Sequence, residues 1–401
     1  MKHRLPRILA AVALAALLLV GALAALVWWG PVPISDKRML LDFMLGRGIE
    51  PPSEETVVRR LAVPTGFRVQ VYSADVPLAR VVVFTPAGDL LVSRTRGDAV
   101  SILERDRDGD GRADGHRVLI DGLDGPHGLA PHDGWLYVAE RTRISRARFD
   151  AASGRLTGPL EPVLTGLTTD GLHRTKTIGV GPDGWLYVSQ GSTCNVCLEQ
   201  DPRRAAIMRL RPDGSEATIH ATGLRNSVGF DWAPWDGALY ATDNGRDLLG
   251  DDFPPDELNR IEAGGFFGWP CEHGDGVPDP EYGGRCADAA TTAPPVHAFR
   301  PHNAPLGIHF LRAARLPGYE RTALVALHGS WNRTTPDGYK VVALRWNADG
   351  SVTETDFLTG FLGPDGIIGR PAFVTEGPDG AIYVSDDYAG VVYRVSAAAA
   401  P

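Results

Sequence analysis

His173, the pair Arg225-Asn226 and the turn Asp243-Asn244-Gly245-Arg246-Asp247 are the residues of this chain whose types and spacing could do chemistry. A neutral imidazole can take a hydroxyl proton near neutral pH. A guanidinium beside an amide can pair with carboxylates or hold charge that develops on oxygen. The turn, followed by Asp251, Asp252, Asp256 and Glu257, is dense in oxygen ligands. Carbonyls exposed by the glycine turn together with nearby carboxylates suit Ca2+. Arg333, in His-Gly-Ser-Trp-Asn-Arg, and Arg370, in Ile-Gly-Arg-Pro, add two more cations. Each residue also has a plain reading: a hydrogen-bonded structural histidine, an ion pair, a solvated acidic loop, a surface arginine.

A second acidic run reads Asp106-Arg-Asp108-Gly-Asp110-Gly-Arg112-Ala-Asp114. Its Asp-x-Asp-x-Asp-Gly spacing opens a calcium-binding loop. Arg117 stands where a closing glutamate belongs, so Asp114 would supply the late ligand. A structural Ca2+ on Asp106, Asp108, Asp110 and Asp114 is expected, apart from the main site. A polar hairpin tip is the plain alternative.

The elements that must position these residues are repeats. Gly-Pro-Asp-Gly-Trp-Leu-Tyr-Val-Ser at 181–189 has counterparts at 85–93, 131–139, 233–241 and 377–385, and a degenerate copy at 322–329. In each, a turn feeds an apolar strand. The aligned glycines 88, 134, 184 and 237 lie 46, 50 and 53 residues apart, a period that suits four-stranded blades. Six copies predict an all-β, six-bladed β-propeller over residues 61–397, with residues 67–72 completing the last blade. A long insertion is expected at about 242–320, where the period breaks. His173 lies eleven residues before Gly184, and Arg225 twelve before Gly237. Equivalent points of a pseudo-symmetric ring face one centre.

Residues 8–29 carry no charge and follow Lys2, Arg4 and Arg7. The stretch is just long enough to cross a bilayer core of roughly 30 Å. Residues 1–30 are therefore expected to be a transmembrane anchor or signal segment, with a periplasmic or otherwise extracytoplasmic body tethered to the inner membrane. Residues 31–60, with a helical patch at 37–45, read as a linker. Four cysteines in an oxidising compartment suit two disulfides. Three connectivities are open, of which the adjacent pairing Cys194–Cys197 and Cys271–Cys286 is expected. A net charge of −9 without a basic block excludes a nucleic-acid surface.

The combination of His173 with the Gly181-Pro-Asp-Gly strand, Arg225-Asn226, the Asn244-Gly245-Arg246 turn, Asp256-Glu257-Leu-Asn259 and Gly268-Trp269-Pro270 resembles the quinoprotein sugar dehydrogenases. These are the soluble glucose, aldose sugar and L-sorbosone dehydrogenases, and the similarity covers residues 66–395. The resemblance implies a propeller that holds pyrroloquinoline quinone (PQQ) and Ca2+, and a sugar or sugar aldehyde as substrate. By that resemblance His173 is the general base and Arg225 steadies oxygen charge, with Asn226 beside it. Gly245 and Arg246 hold Ca2+ through their carbonyls, and Arg333 and Arg370 meet the PQQ carboxylates. Electrons would pass to a respiratory quinone or cytochrome. The chain departs from glucose dehydrogenase at Asn244-Gly245-Arg246, in place of Gln-Gly-Pro, and at Ala372, in place of a second inward arginine. Two other functions fit a calcium-bearing propeller: a non-catalytic binding or sensor module, and a Ca2+-dependent lactone hydrolase. The hydrolase would carry Glu, Asn and Asp on its inner strands, where this chain has a histidine and arginines.

Overall fold

The computed structural model describes residues 33–286, 291–312 and 318–398, with a few isolated positions before residue 33. The expected membrane or signal segment, residues 8–29, lies outside the described residues. Among the described residues no helix is long and apolar enough to cross a membrane.

Six antiparallel sheets form the expected six-bladed propeller. The innermost strands of blades one to six are Ala79–Phe84, Leu129–His132, Lys176–Val180, Phe230–Trp232, Pro305–Phe310 and Pro371–Glu376. The ring closes on Phe67–Ser73, which pairs with Val391–Ala397 as the outermost strand of blade six.

The recurring motif has two structural causes. Its glycine turns backward, with φ of 92° at Gly88, 72° at Gly134, 77° at Gly184 and 71° at Gly237, where a Cβ would be strained. Its aspartate accepts the hydroxyl of the tyrosine four residues on, at 2.9 Å for Tyr187 to Asp183 and 3.1 Å for Tyr383 to Asp379. The hydroxyl residue near the motif's end latches neighbouring blades. Ser189 donates to the Ser227 carbonyl, Thr242 to that of Leu306 at 2.7 Å, and Ser385 to that of Arg80. Six apolar clusters fill the six gaps between blades, for example Leu91, Val100, Leu136 and Val138 between blades one and two.

Two expectations need correction. The stretch at 242–320 is not one insertion. It contains Asp256–Ile261 and His297–Phe299, the last two strands of blade four, and Pro305–Phe310 of blade five. The extra chain is a loop between Asp243 and Asp256 and an excursion between Ile261 and His297. Part of that excursion, Gly265–Phe266, pairs in parallel with blade three.

Residues 33–60 are not a free linker either. The expected helix forms at Lys37–Met44, with Asp36 accepting the Met39 amide at 2.9 Å, and a second helix, Glu54–Arg60, is capped by Ser53. Met39 and Val57 are buried in the cluster between blades five and six. Ser35 donates its amide to the Trp331 carbonyl, and Ile49 to that of Tyr388, both on the propeller. The segment is a strap over the propeller, held by apolar burial and backbone bonds. Both disulfides form as expected, Cys194–Cys197 and Cys271–Cys286.

Candidate active site

His173 lies on the loop entering blade three. Its backbone is left-handed, with φ of 46°, a costly conformation for a side chain with a Cβ and one that clusters at functional sites. Nδ1 lies 3.0 Å from both the carbonyl and the hydroxyl oxygen of Ser192. That hydroxyl gives its own proton to the Cys194 carbonyl at 2.6 Å, so both neighbours of Nδ1 are acceptors. Nδ1 therefore carries the ring proton and Nε2 keeps its lone pair. Burial, then Arg225, then Arg204 push the imidazolium pKa down to about 3, so the ring is neutral.

Arg204 holds this arrangement from behind. It is buried, and its guanidinium donates to the carbonyls of Gly191, Thr168, Asp170, Leu172, His173 and Ser192, with no carboxylate in contact. One side chain thus ties the His173 loop to the Ser192 loop.

Arg225, at the entry to blade four, is also buried. It bonds the carbonyls of Asn195 and Asn244, the Asn195 amide oxygen and the Asp247 carboxylate at 2.7 Å. Asp243, at the end of the next strand, accepts the main-chain N–H groups of Arg225 and Asn226 at 2.9 and 2.6 Å. Asp386 accepts the N–H of Arg370 at 2.9 Å in the same way in blade six. The glycine at 245 is required, since a Cβ there would sit 2.6 Å from the Pro255 carbonyl oxygen. Its N–H donates to Asp256 at 2.8 Å, while among the described residues neither its carbonyl nor that of Arg246 accepts a hydrogen bond. The Arg246 side chain points away to Asp279 and Glu281, which fixes the turn. Burial raises Asp243 to about 8 and Asp256 to about 7. Two unclaimed carbonyls next to buried carboxyls form a donor set that fits Ca2+.

His173, Arg225, Asn226 and Gly245 line one cavity of about 120 Å3. A second cavity of about 510 Å3 shares Asn226, Asn244, Ala304 and Trp331 with it. Its walls carry Arg80, Arg96, Arg370, His328 and Asp387, and the strap adds Met39 and Leu40. Asp387 bonds Arg80 at 2.5 Å and His328 at 2.8 Å, contacts that hold its carboxyl far below the usual range despite burial. Arg370 is fixed by the carbonyls of His328 and Gly329. Three guanidiniums face one carboxylate, a balance suited to a ligand with several negative charges.

Residues 81–394 match the family model described as glucose / sorbosone dehydrogenase. The chain belongs to that family. An uncharacterized protein of Borreliella burgdorferi is 37% identical over 215 residues, 52% of this chain and 56% of that protein. A pyrroloquinoline quinone-dependent pyranose dehydrogenase of Coprinopsis cinerea is 25% identical over 85% of this chain and 55% of its own length. The chain thus spans little more than half the length of these two relatives. Among solved structures, the holo form of the Coprinopsis pyranose dehydrogenase PQQ domain superposes with a TM-score of 0.72 at 22% identity, covering 86% of this chain and 98% of that one. A calcium structure of a Trichoderma reesei family AA12 enzyme gives 0.73 at 22%, covering 88% and 99%. At these identities the superpositions report the fold.

In this glucose/sorbosone dehydrogenase family member, His173, Arg225, Asn226 and Gly245 come together and Arg370 reaches the adjoining cavity. Arg333 lines neither cavity. It is buried against the carbonyls of Asp251, Pro301 and Thr335, because it leaves the second strand of blade five rather than entering a first strand. Asp106, Asp108 and Asp114 gather with ligand atoms within 4.8 Å of one another, Asp110 outside the group. Asp106 already accepts the N–H groups of Gly109 and Gly111, and Asp114 that of Arg107. Sequence reasoning read Asp247 only as part of an oxygen-rich turn, not as the partner of Arg225, and passed over Ser192, Arg204, Arg80, Arg96 and Asp387. The last had a signal, since Ser-Asp386-Asp387 repeats Thr-Asp243-Asn244 at the same point of another blade.

Proposed function

We propose that the chain is a PQQ- and Ca2+-dependent dehydrogenase acting on a sugar or sugar aldehyde. The observation that carries this reading is the lone pair on His173 Nε2, fixed by its Ser192 acceptors, in a cavity shared with Arg225, Asn226 and the Gly245 turn. The relative named as a pyrroloquinoline quinone-dependent pyranose dehydrogenase supports the cofactor and the substrate class.

PQQ, when bound with Ca2+, supplies a two-electron acceptor whose polarised carbonyl takes hydride equivalents from a C–H bond. The Gly245 and Arg246 carbonyls would hold Ca2+, and Arg80, Arg96 and Arg370 would meet the carboxylates of PQQ. His173 Nε2 takes the proton of the reacting hydroxyl. Arg225, kept in place by Asp247 and Asn195, steadies negative charge that develops on oxygen. Arg204 keeps the His173 loop against Ser192. A binding-only propeller has no use for a base held in one tautomer.

An apolar N-terminal segment behind three basic residues, together with two disulfides, supports an extracytoplasmic body tethered to the inner membrane. A respiratory quinone or cytochrome would receive the electrons. The Asp106 loop would hold a structural Ca2+ through Asp106, Asp108 and Asp114.

The test is a PQQ titration of the purified chain with Ca2+, followed by aldose-dependent dye reduction in wild type and His173→Ala. We expect an absorbance change on binding in both proteins. Turnover in the variant falls by about 10^2–10^4, the share a positioned base contributes. No absorbance change in wild type, or full turnover in the variant, overturns the reading. Lactone hydrolysis without PQQ would favour the hydrolase.

A further inference from the structure

Asn332 stands out among the polar side chains of the small cavity. It follows Trp331 on the loop leaving Thr322–Leu327 and is only 3% exposed. It lines the cavity with His173, Arg225 and Asn226. Both ends of its amide, Nδ2 and Oδ1, are closed off from solvent and have no hydrogen-bond partner among the described residues. Three other polar side chains that line the cavity are matched: Asn244 donates to the carbonyls of Asn226 and Pro305, Asp256 accepts from Gly245 and Ala304, and His302 bonds the Gly250 carbonyl. A buried amide left unmatched at both ends is costly, and such groups in folded proteins have a reason.

We propose that the Asn332 amide recognises a hydroxyl next to the reacting carbon of a polyhydroxylated substrate. This rests on the dehydrogenase reading, with His173 as base in the same cavity. The vacant amide end needs chemistry of both kinds, a donor for Oδ1 and an acceptor for Nδ2, and either orientation of the amide leaves both needs unmet. Quinone carbonyls and carboxylates only accept. A sugar hydroxyl does both. Asn332 is then the residue that separates sugars from simple aldehydes, because a site built to hydrogen-bond a hydroxyl penalises analogues that lack one.

The test compares wild type with Asn332→Leu, which keeps the branched shape and removes both polar ends. The full chain is loaded with PQQ and Ca2+ and assayed with an aldose and with a plain alkanal. We expect kcat/KM for the aldose to fall by about fivefold to a hundredfold, the loss of one such bond in a closed site. The value for the alkanal changes less than about threefold. The ligand-free variant should melt at the wild-type temperature or above it, since an unmatched buried amide is gone. Asn332→Ala serves as the second variant if the leucine protein does not fold, with the same change in ratio expected. Equal losses on both substrates overturn the proposal, as does a lowered melting temperature with an unchanged ratio. Weakened PQQ affinity with the ratio intact would assign the amide to the cofactor and also overturn it. If wild type turns over no substrate, the dehydrogenase reading fails separately. Calorimetry with the aldose then decides: binding weakened in the variant upholds the amide's role, and equal or absent binding in both proteins overturns it.

Discussion

A histidine that is to take a proton must arrive with an empty nitrogen, and at position 173 the neighbours settle which one. The Ser192 carbonyl and hydroxyl both accept from Nδ1, leaving Nε2 free. Burial and two arginines depress the ring's pKa to about 3. Its charge state therefore does not change across the range where an ordinary histidine titrates. We expect the His173 ring, followed by its NMR shifts, to show no protonation from pH about 8 to about 5. The linkage sign follows. Between the ordinary value and about 3 the unfolded chain binds a proton that the native ring refuses. The ring's contribution to stability is complete above the ordinary value and is lost as pH falls through about 3. A ring that titrates at the ordinary histidine value would show that position 173 is not held as described. His173 and Arg225 were legible in the sequence because both precede an innermost strand at matching distances from the motif glycine. Arg333 misled because it shares the residue type but not the position in the blade. Asn332 gave no sign, since an amide in a loop is ordinary until its partners are counted.

Between the residues and the ring stand loops that no repeat describes, and one buried arginine joins two of them. Arg204 closes the His173 loop against the Ser192 loop with hydrogen bonds to main-chain carbonyls alone. Its charge is tolerated inside because every N–H is matched. Arg204→Met should lower stability by about 2–4 kcal/mol, since it leaves several buried carbonyls unmatched. It should also lower kcat more than it raises KM, because the base is displaced while the cavity walls remain. Denaturant unfolding and steady-state kinetics on the same preparation check both halves; unchanged kcat in a destabilised protein would confine Arg204 to folding. The blades themselves were readable from Asp-Gly turns and the tyrosine that returns to the aspartate. The latching role of Ser189, Thr242 and Ser385 was not, because a hydroxyl that crosses to the next blade has no partner near it in sequence. The helix at Lys37–Met44 was visible as a pattern, yet an apolar helical face says only that it is covered, not by what.

At the scale of the whole molecule, that helix decides how the site meets its surroundings. The strap runs from Ser35, bonded to the Trp331 carbonyl, through Met39 in the interblade core to Ile49 on Tyr388. Met39 and Leu40 form part of the wall of the larger cavity, whose lining also includes Arg80, Arg96 and Arg370. Ion pairs with a ligand are stronger beside apolar lining than in open solvent. Tyr388 donates to Asp42 at 3.1 Å, and the Tyr339 hydroxyl, which donates to the Ser330 carbonyl, lies 3.4 Å from the Met39 sulfur, so the strap is matched to the propeller by polar as well as apolar contacts. Deleting residues 1–50 removes this wall but leaves the ring closed by Phe67–Ser73 and the second helix in place. We expect the shortened protein to fold and to bind PQQ and Ca2+, with cofactor dissociation faster by at least about tenfold, a change of about 1.4 kcal/mol. The melting temperature should fall by a few degrees, as expected for the loss of about 1–2 kcal/mol from a domain of this size. Stopped-flow displacement of bound PQQ reads the first quantity and calorimetry the second. If dissociation is unchanged while the melting temperature falls, the strap stabilises the propeller and takes no part in retaining the cofactor.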